Sequence, residues 1–119
     1  MYIVFVDDDA NVRSSTAELL RLLGVEVAAF SDAWSAIDSV TDRCPDAVLI
    51  DLNMPAMDGF EVAQVLRERF GRTLRLVAFS GVTSTFQREA AAHAGFDVFL
   101  AKPCTGVAMI QALTRPPIA

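Results

Sequence analysis

Hydrophobic positions along this chain follow two rhythms. Short, mainly apolar runs occupy residues 2–6, 25–29, 47–50, 74–79 and 98–101, interrupted only by Glu26 and Arg75, each short enough for a strand buried on both faces. Between them the spacing changes to threes and fours. Val12, Thr16, Leu19, Leu20 and Leu23 fall on one face of a helix that Gly24 stops. Asp32 and Asp58 stand as N-caps of a second and a third helix, and the third carries Val62, Leu66 and Phe70 on one stripe before Gly71. A fourth helix is predicted over about residues 83–94, closed by Gly95, and a fifth follows Thr105 and ends before Pro116-Pro117.

Strand and helix thus alternate along the whole chain. This predicts an α/β fold in which a five-stranded, doubly wound parallel sheet carries helices on both faces. In such sheets ligands bind beyond the carboxyl ends of the strands, at the topological switch point. Those ends carry the polar residues of interest. Asp7 and Asp8 follow the first run, Asp51 the third, Ser80 the fourth and Lys102-Pro103 the fifth. Lys102 is also the chain's single lysine, every other cation being arginine.

Three carboxylates in one cleft repel unless a cation neutralises them. A set of oxygen donors suits a hard divalent ion, and Mg²⁺ takes few carboxylates and keeps room for phosphate oxygens. Such a cleft is suited to Mg²⁺ and a phosphoryl group. Asp51 can serve as the nucleophile that forms an acyl phosphate, with Lys102 and the Ser80 hydroxyl on the phosphoryl oxygens and Asp7 and Asp8 on the metal.

Composition restricts what this site could serve. The chain has 119 residues, 53% of them hydrophobic, which fits one domain over residues 1–119, with a core of about 2–114 and a tail or linker start at 115–119. A net charge of −5 without a basic run argues against direct contact with nucleic acid or an anionic membrane. No leader or long apolar span is evident, so a cytoplasmic protein is expected. Cys44 precedes a strand and Cys104 follows one, at opposite sheet edges about 17 Å apart, too far for a disulfide. Neither has a second Cys or His at zinc-ligand spacing, and both are expected as thiols.

The motifs VDDD at 6–9, LIDLNMPAMDG at 49–59, AFSG at 78–81 and FLAKP at 99–103 together resemble the receiver domains of two-component response regulators. The resemblance covers essentially the whole chain. It implies the flavodoxin-like strand order 2-1-3-4-5 and phosphorylation of Asp51 by a histidine kinase or a histidine phosphotransfer protein. It further implies that Asp8 and Asp51 ligate Mg²⁺ directly, that Asn53 adds its backbone carbonyl, and that Asp7 acts largely through water. Lys102 would pair with the phosphoryl group or with Asp51, and Lys102-Pro103 would be a cis peptide. Ser80 and Phe99 would be the switch pair. Such a domain is not an enzyme but a phosphoacceptor that promotes its own phosphorylation and dephosphorylation. It would report to a downstream target protein or output domain through its last two helices and last strand, with a phosphorylation-dependent homodimer as a further expectation.

Some residues depart from the family pattern. Ser80 stands where threonine is commoner and lacks the methyl group that restrains the rotamer. Phe99 stands where tyrosine is frequent, so its two positions would differ by packing alone. Val82 offers no side-chain hydrogen bond to an attacking water, whereas Asn53 could; Cys104 replaces a larger apolar residue. Asp9 reads as a helix-start residue, His93 as a cap or surface residue, and Trp34 and the phenylalanines as core or partner-facing groups. Two rival functions are a receiver-like interaction module that phosphorylation does not regulate and a small aspartyl-phosphate phosphatase. The phosphatase usually needs a second carboxylate two residues after the nucleophile, where this chain has Asn53.

Overall fold

In a computed structural model that describes residues 1–114, the apolar runs pair as parallel strands. The tail expected at 115–119 lies outside the described residues. β1 (Tyr2–Val6), β2 (Glu26–Phe30), β3 (Ala47–Asp51), β4 (Arg75–Ser80) and β5 (Val98–Ala101) form one sheet in the order β2-β1-β3-β4-β5. The helices are α1 (Ala10–Leu22), α2 (Ala33–Asp42), α3 (Gly59–Phe70), α4 (Thr85–Ala94) and α5 (Gly106–Thr114), with a 3-10 turn at Gly71–Thr73.

The continuous apolar character of β1, β3 and β4 follows from their having no water-facing side. Val4, Val6, Val48 and Ile50 pack into a cluster with residues of α2, α3 and α4. Their neighbours Ile3, Phe5, Leu49 and Val77 pack into another with α1 and α5. Each such fully buried side chain contributes about 1.5–3 kcal/mol relative to exposure. β2 and β5 lie at the edges and are partly exposed.

Helix starts are set by side-chain caps. Asp9 accepts from the Asn11 and Val12 amides, Asp32 from Ser35, and Ser84 from Gln87. Asp58 and Glu61 form a reciprocal capping box at α3. Ser84 is therefore the cap of α4, and the helix begins two residues after the expected Thr83. β2 likewise begins at Glu26, one residue late, because the Val25 amide closes α1 by donating to the Leu20 carbonyl. Leu23, expected on the buried face of α1, caps the helix and is 49% exposed.

Candidate functional site

Register brings the chemistry together. Val6 pairs with Ile50, so Asp7 and Asp51 leave neighbouring strands at the same level, on either side of the point where the winding reverses. Ser80 pairs with Ala101, and the Lys102 amide donates to the Ser80 carbonyl at 2.8 Å, which continues the β4–β5 ladder to the edge of the cleft. The Lys102-Pro103 peptide is cis.

Asp7, Asp8 and Asp51 each present a carboxylate oxygen, and these oxygens lie within 4.8 Å of one another. Asp7 and Asp51 are buried, whereas Asp8 is exposed and opens the cluster to solvent. Lys102 Nζ donates to Asp7 Oδ2 at 3.0 Å and to Asp51 Oδ1 at 3.3 Å. The free Asp7 oxygen accepts from the Asp9 amide at 2.9 Å. Asp51 Oδ1 also accepts from the Asn53 amide at 3.2 Å, so every hydrogen bond to the Asp51 carboxylate among the described residues falls on one oxygen. Its Oδ2 is left for another ligand.

The electrostatics of the cluster are unbalanced. Burial holds the Asp51 carboxyl above its usual range, and repulsion from Asp7 adds to this against the pull of the Asn53 amide and Lys102. Burial opposes the charge on Lys102, but the Asp7 and Asp51 carboxylates outweigh it and hold the ammonium above its usual value. Among the described residues Lys102 is the one cation paired with this cluster, and it bonds two of its three carboxylates. Oxygen donors in surplus of positive charge, at this spacing and with one member exposed, fit a small hard divalent ion.

Gly59 lets the loop after β3 fold tightly beside this cluster. A Cβ there would stand 2.5 Å from the Asp51 carbonyl and 2.8 Å from Leu52 Cα, so only glycine fits where α3 starts against the strand end. A groove of about 490 Å³ opens on the other side, between α1 and residues 102–104, with Lys102, Thr16, Phe79 and Cys104 in its walls. Cys104 is half-buried there and Cys44 is exposed, both as thiols.

Ser80 is fully buried, and its hydroxyl is engaged. Its Oγ accepts from the Val82 amide at 3.0 Å and donates to the Val82 carbonyl at 3.2 Å, while Asn53 Nδ2 donates to it at 3.3 Å. The looser rotamer expected from the missing methyl group is instead fixed by a closed turn, and the Asn53 amide is directed to Ser80. Phe99 is half-buried beneath α4, and packing is not the whole of its environment: the Arg88 guanidinium lies over its ring at 4.6 Å from the centroid. Sequence reasoning passed over Arg88, which sits on α4 eleven residues before Phe99 with nothing local to mark it. His93 is exposed in the last turn of α4, and Trp34 and Phe86 are 52% and 80% exposed.

Comparison with known proteins agrees with this geometry. Residues 3–114 match the response regulator receiver domain family. The transcriptional regulatory protein PrrA of Mycobacterium tuberculosis is 38% identical over 116 residues, covering 95% of this chain and 49% of PrrA. Response regulator MprA of Mycobacterium avium is 37% identical over 103 residues, covering 87% of this chain and 45% of MprA. The chain therefore spans about half the length of these curated relatives. Among solved structures, chemotaxis protein CheY4 of Vibrio cholerae superposes with a TM-score of 0.90 at 24% identity, covering 97% of each chain. The receiver domain of sensor histidine kinase PA1611 from Pseudomonas aeruginosa gives 0.87 at 28% identity, covering 96% of this chain and 94% of that one. That structure has a magnesium ion coordinated in its active-site cleft. No helix among the described residues is long and apolar enough to cross a membrane.

Proposed function

This chain belongs to the response regulator receiver domain family of two-component signalling, and from that premise we propose that Asp51 is its phosphoacceptor. The observation that carries the reading is the convergence of Asp7, Asp8 and Asp51 within 4.8 Å, with Lys102 on two of them and an Asp51 oxygen left open. Asp51 Oδ2 attacks the phosphorus of a phosphohistidine or a small acyl phosphate. The new P–O bond forms as the bond from phosphorus to the donor nitrogen or oxygen breaks, and the donor leaves with that electron pair. Water reverses the modification by attacking phosphorus, so that the P–O bond to Asp51 breaks, inorganic phosphate leaves and the carboxylate is regenerated.

Asp8, Asp51 and the Asn53 backbone carbonyl would hold Mg²⁺, with Asp7 beside them; bound Mg²⁺ supplies positive charge to carboxylates and phosphoryl oxygens that would otherwise repel. Lys102 offsets part of the negative charge around the nucleophile and is free to swing from Asp51 Oδ1 to a phosphoryl oxygen. Ser80 donates its hydroxyl to another phosphoryl oxygen once it gives up the Val82 carbonyl. Phe99 then turns inward, and α4, β5 and α5 present a changed surface to a target protein, an output domain or a second copy.

We place the phosphodonor, a histidine kinase or histidine phosphotransfer protein, in the cytoplasm with this domain. PrrA is by name a transcriptional regulator, but it is about twice as long; this acidic segment, with a net charge of −5, is read as contacting protein and not DNA. A phosphatase of the aspartyl-phosphate class is disfavoured by Asn53, whose amide is directed to Ser80.

Incubation with Mg²⁺ and acetyl phosphate is expected to add one phosphoryl mass, and Asp51→Asn is expected to abolish it. Equal labelling of that variant, or labelling indifferent to Mg²⁺, would overturn the assignment.

A further inference from the structure

Arg88 touches both halves of the switch. Its guanidinium lies over the Phe99 ring at 4.6 Å, and its Nε donates to the Thr83 carbonyl at 3.2 Å, in the loop that follows Ser80. It makes no ion pair among the described residues, so its charge is not committed to a carboxylate. The same loop holds the Ser80 hydroxyl through the amide and carbonyl of Val82. One side chain therefore spans the loop that must release Ser80 and the ring that must move.

We propose that Arg88 is a positioning residue that latches the unphosphorylated state, holding Phe99 under its guanidinium while tethering the Ser80 loop through Thr83. The proposal rests on the receiver reading and adds to it the element that sets the resting equilibrium. For Ser80 to donate to a phosphoryl oxygen it must leave the Val82 carbonyl, and displacement of residues 82–83 pulls on Arg88. For Phe99 to turn inward it must leave the guanidinium. Each movement weakens the contact that resists the other, so the two are coupled, and by linkage the coupling is equal in both directions. A cation over an aromatic ring at an exposed site biases such an equilibrium about two- to fivefold.

The contact itself is read by NMR. In the unphosphorylated protein, ring current is expected to shield the Arg88 side-chain protons, and Phe99→Leu is expected to abolish the shielding. The latch is read by labelling at limiting acetyl phosphate with Mg²⁺. Arg88→Leu is expected to label about two- to fivefold faster than wild type. Arg88→Lys, which keeps a cation but not the bond from Nε, should fall between, and Arg88→Leu should add less in a Phe99→Leu background than it does in wild type, because only the bond to Thr83 is left to lose. Unshielded Arg88 protons, or Leu and Lys variants that behave alike, would overturn the latch while leaving the receiver intact. A wild-type protein that takes no label at all would sink the receiver reading and the latch with it.

Discussion

Two clusters of charge sit inside this fold, and they are balanced differently. At the carboxyl edge of the sheet, Lys102 serves Asp7 and Asp51 with Asp8 close by, and an Asp51 oxygen has no protein donor among the described residues. Under α3, Arg67 meets the single carboxylate of Asp97 at 2.8 Å and donates from Nε to the Gly95 carbonyl and from Nη1 to those of Gly71 and Leu74. Asp97 in turn accepts from the Leu76 amide at 2.8 Å. The second cluster is neutral, one cation to one carboxylate, and it ties α3, the end of α4 and the starts of β4 and β5 together. The first is not neutral: three carboxylates meet the one ammonium of Lys102. Burial of charge therefore does not by itself mark a functional site, and neither does a carboxylate oxygen without a protein donor, since both bonds to Asp97 fall on Oδ2; surplus charge does.

The comparison breaks most sharply at Arg67. Arg67→Met leaves Asp97 without its cation and several carbonyls without their donor, and is expected to cost about 3 kcal/mol by urea unfolding, as breaking a largely buried pair does. Acetyl phosphate labelling per folded molecule should stay near wild type, because nothing in the cleft touches Arg67. A next, smaller effect is expected at Lys102. Lys102→Met should cost about 2 kcal/mol without divalent ion, since Asp8 opens this cluster to water, and Mg²⁺ should restore part of it. The Lys102 pKa is raised, so its contribution is present below the usual 10.5 and lost only as pH climbs through the raised value. Labelling, unlike in Arg67→Met, should fall steeply. Equal labelling in the two variants would erase the distinction between staple and site.

The two clusters were also unequally legible in the sequence. Asp7, Asp51, Ser80 and Lys102 could be placed because each ends an apolar run, and parallel strands deliver their ends to one edge. The runs themselves foretold each strand to within about one residue. The order of the strands came from the family motifs, since apolar periodicity says which segments are strands and not which are neighbours. Arg67 and Asp97 gave no signal: they lie 30 residues apart, and an arginine on an amphipathic helix ordinarily faces water. Gly95 was read as a helix stop, which its φ of +109° bears out. Its second role was hidden, because a Cβ there would stand 2.9 Å from Arg67 Cγ. Arg88 escaped notice for the same reason, its partner ring being on another element.

Asp51→Asn should have the smallest effect on stability and the opposite sign. The Asp51 carboxyl is raised above 3.8, chiefly by burial, so the folded protein binds this proton more tightly than the unfolded chain does. The stability linked to it is complete below 3.8 and is lost as pH rises through the raised value; at neutral pH the ionised carboxylate is a liability. Asparagine has a similar shape and no charge to lose. Without divalent ion at pH 7, the variant is expected to unfold at higher urea than wild type. The gap should narrow as pH falls toward 3.8, where wild type becomes neutral too. Mg²⁺ should narrow it from the other side, because the ion binds the folded wild type more tightly and stabilises it by mass action. A variant less stable than wild type under metal-free conditions would mean that Asp51 and Lys102 behave as Asp97 and Arg67 do. The cleft would then be a second staple, and the surplus of negative charge would no longer argue for a metal.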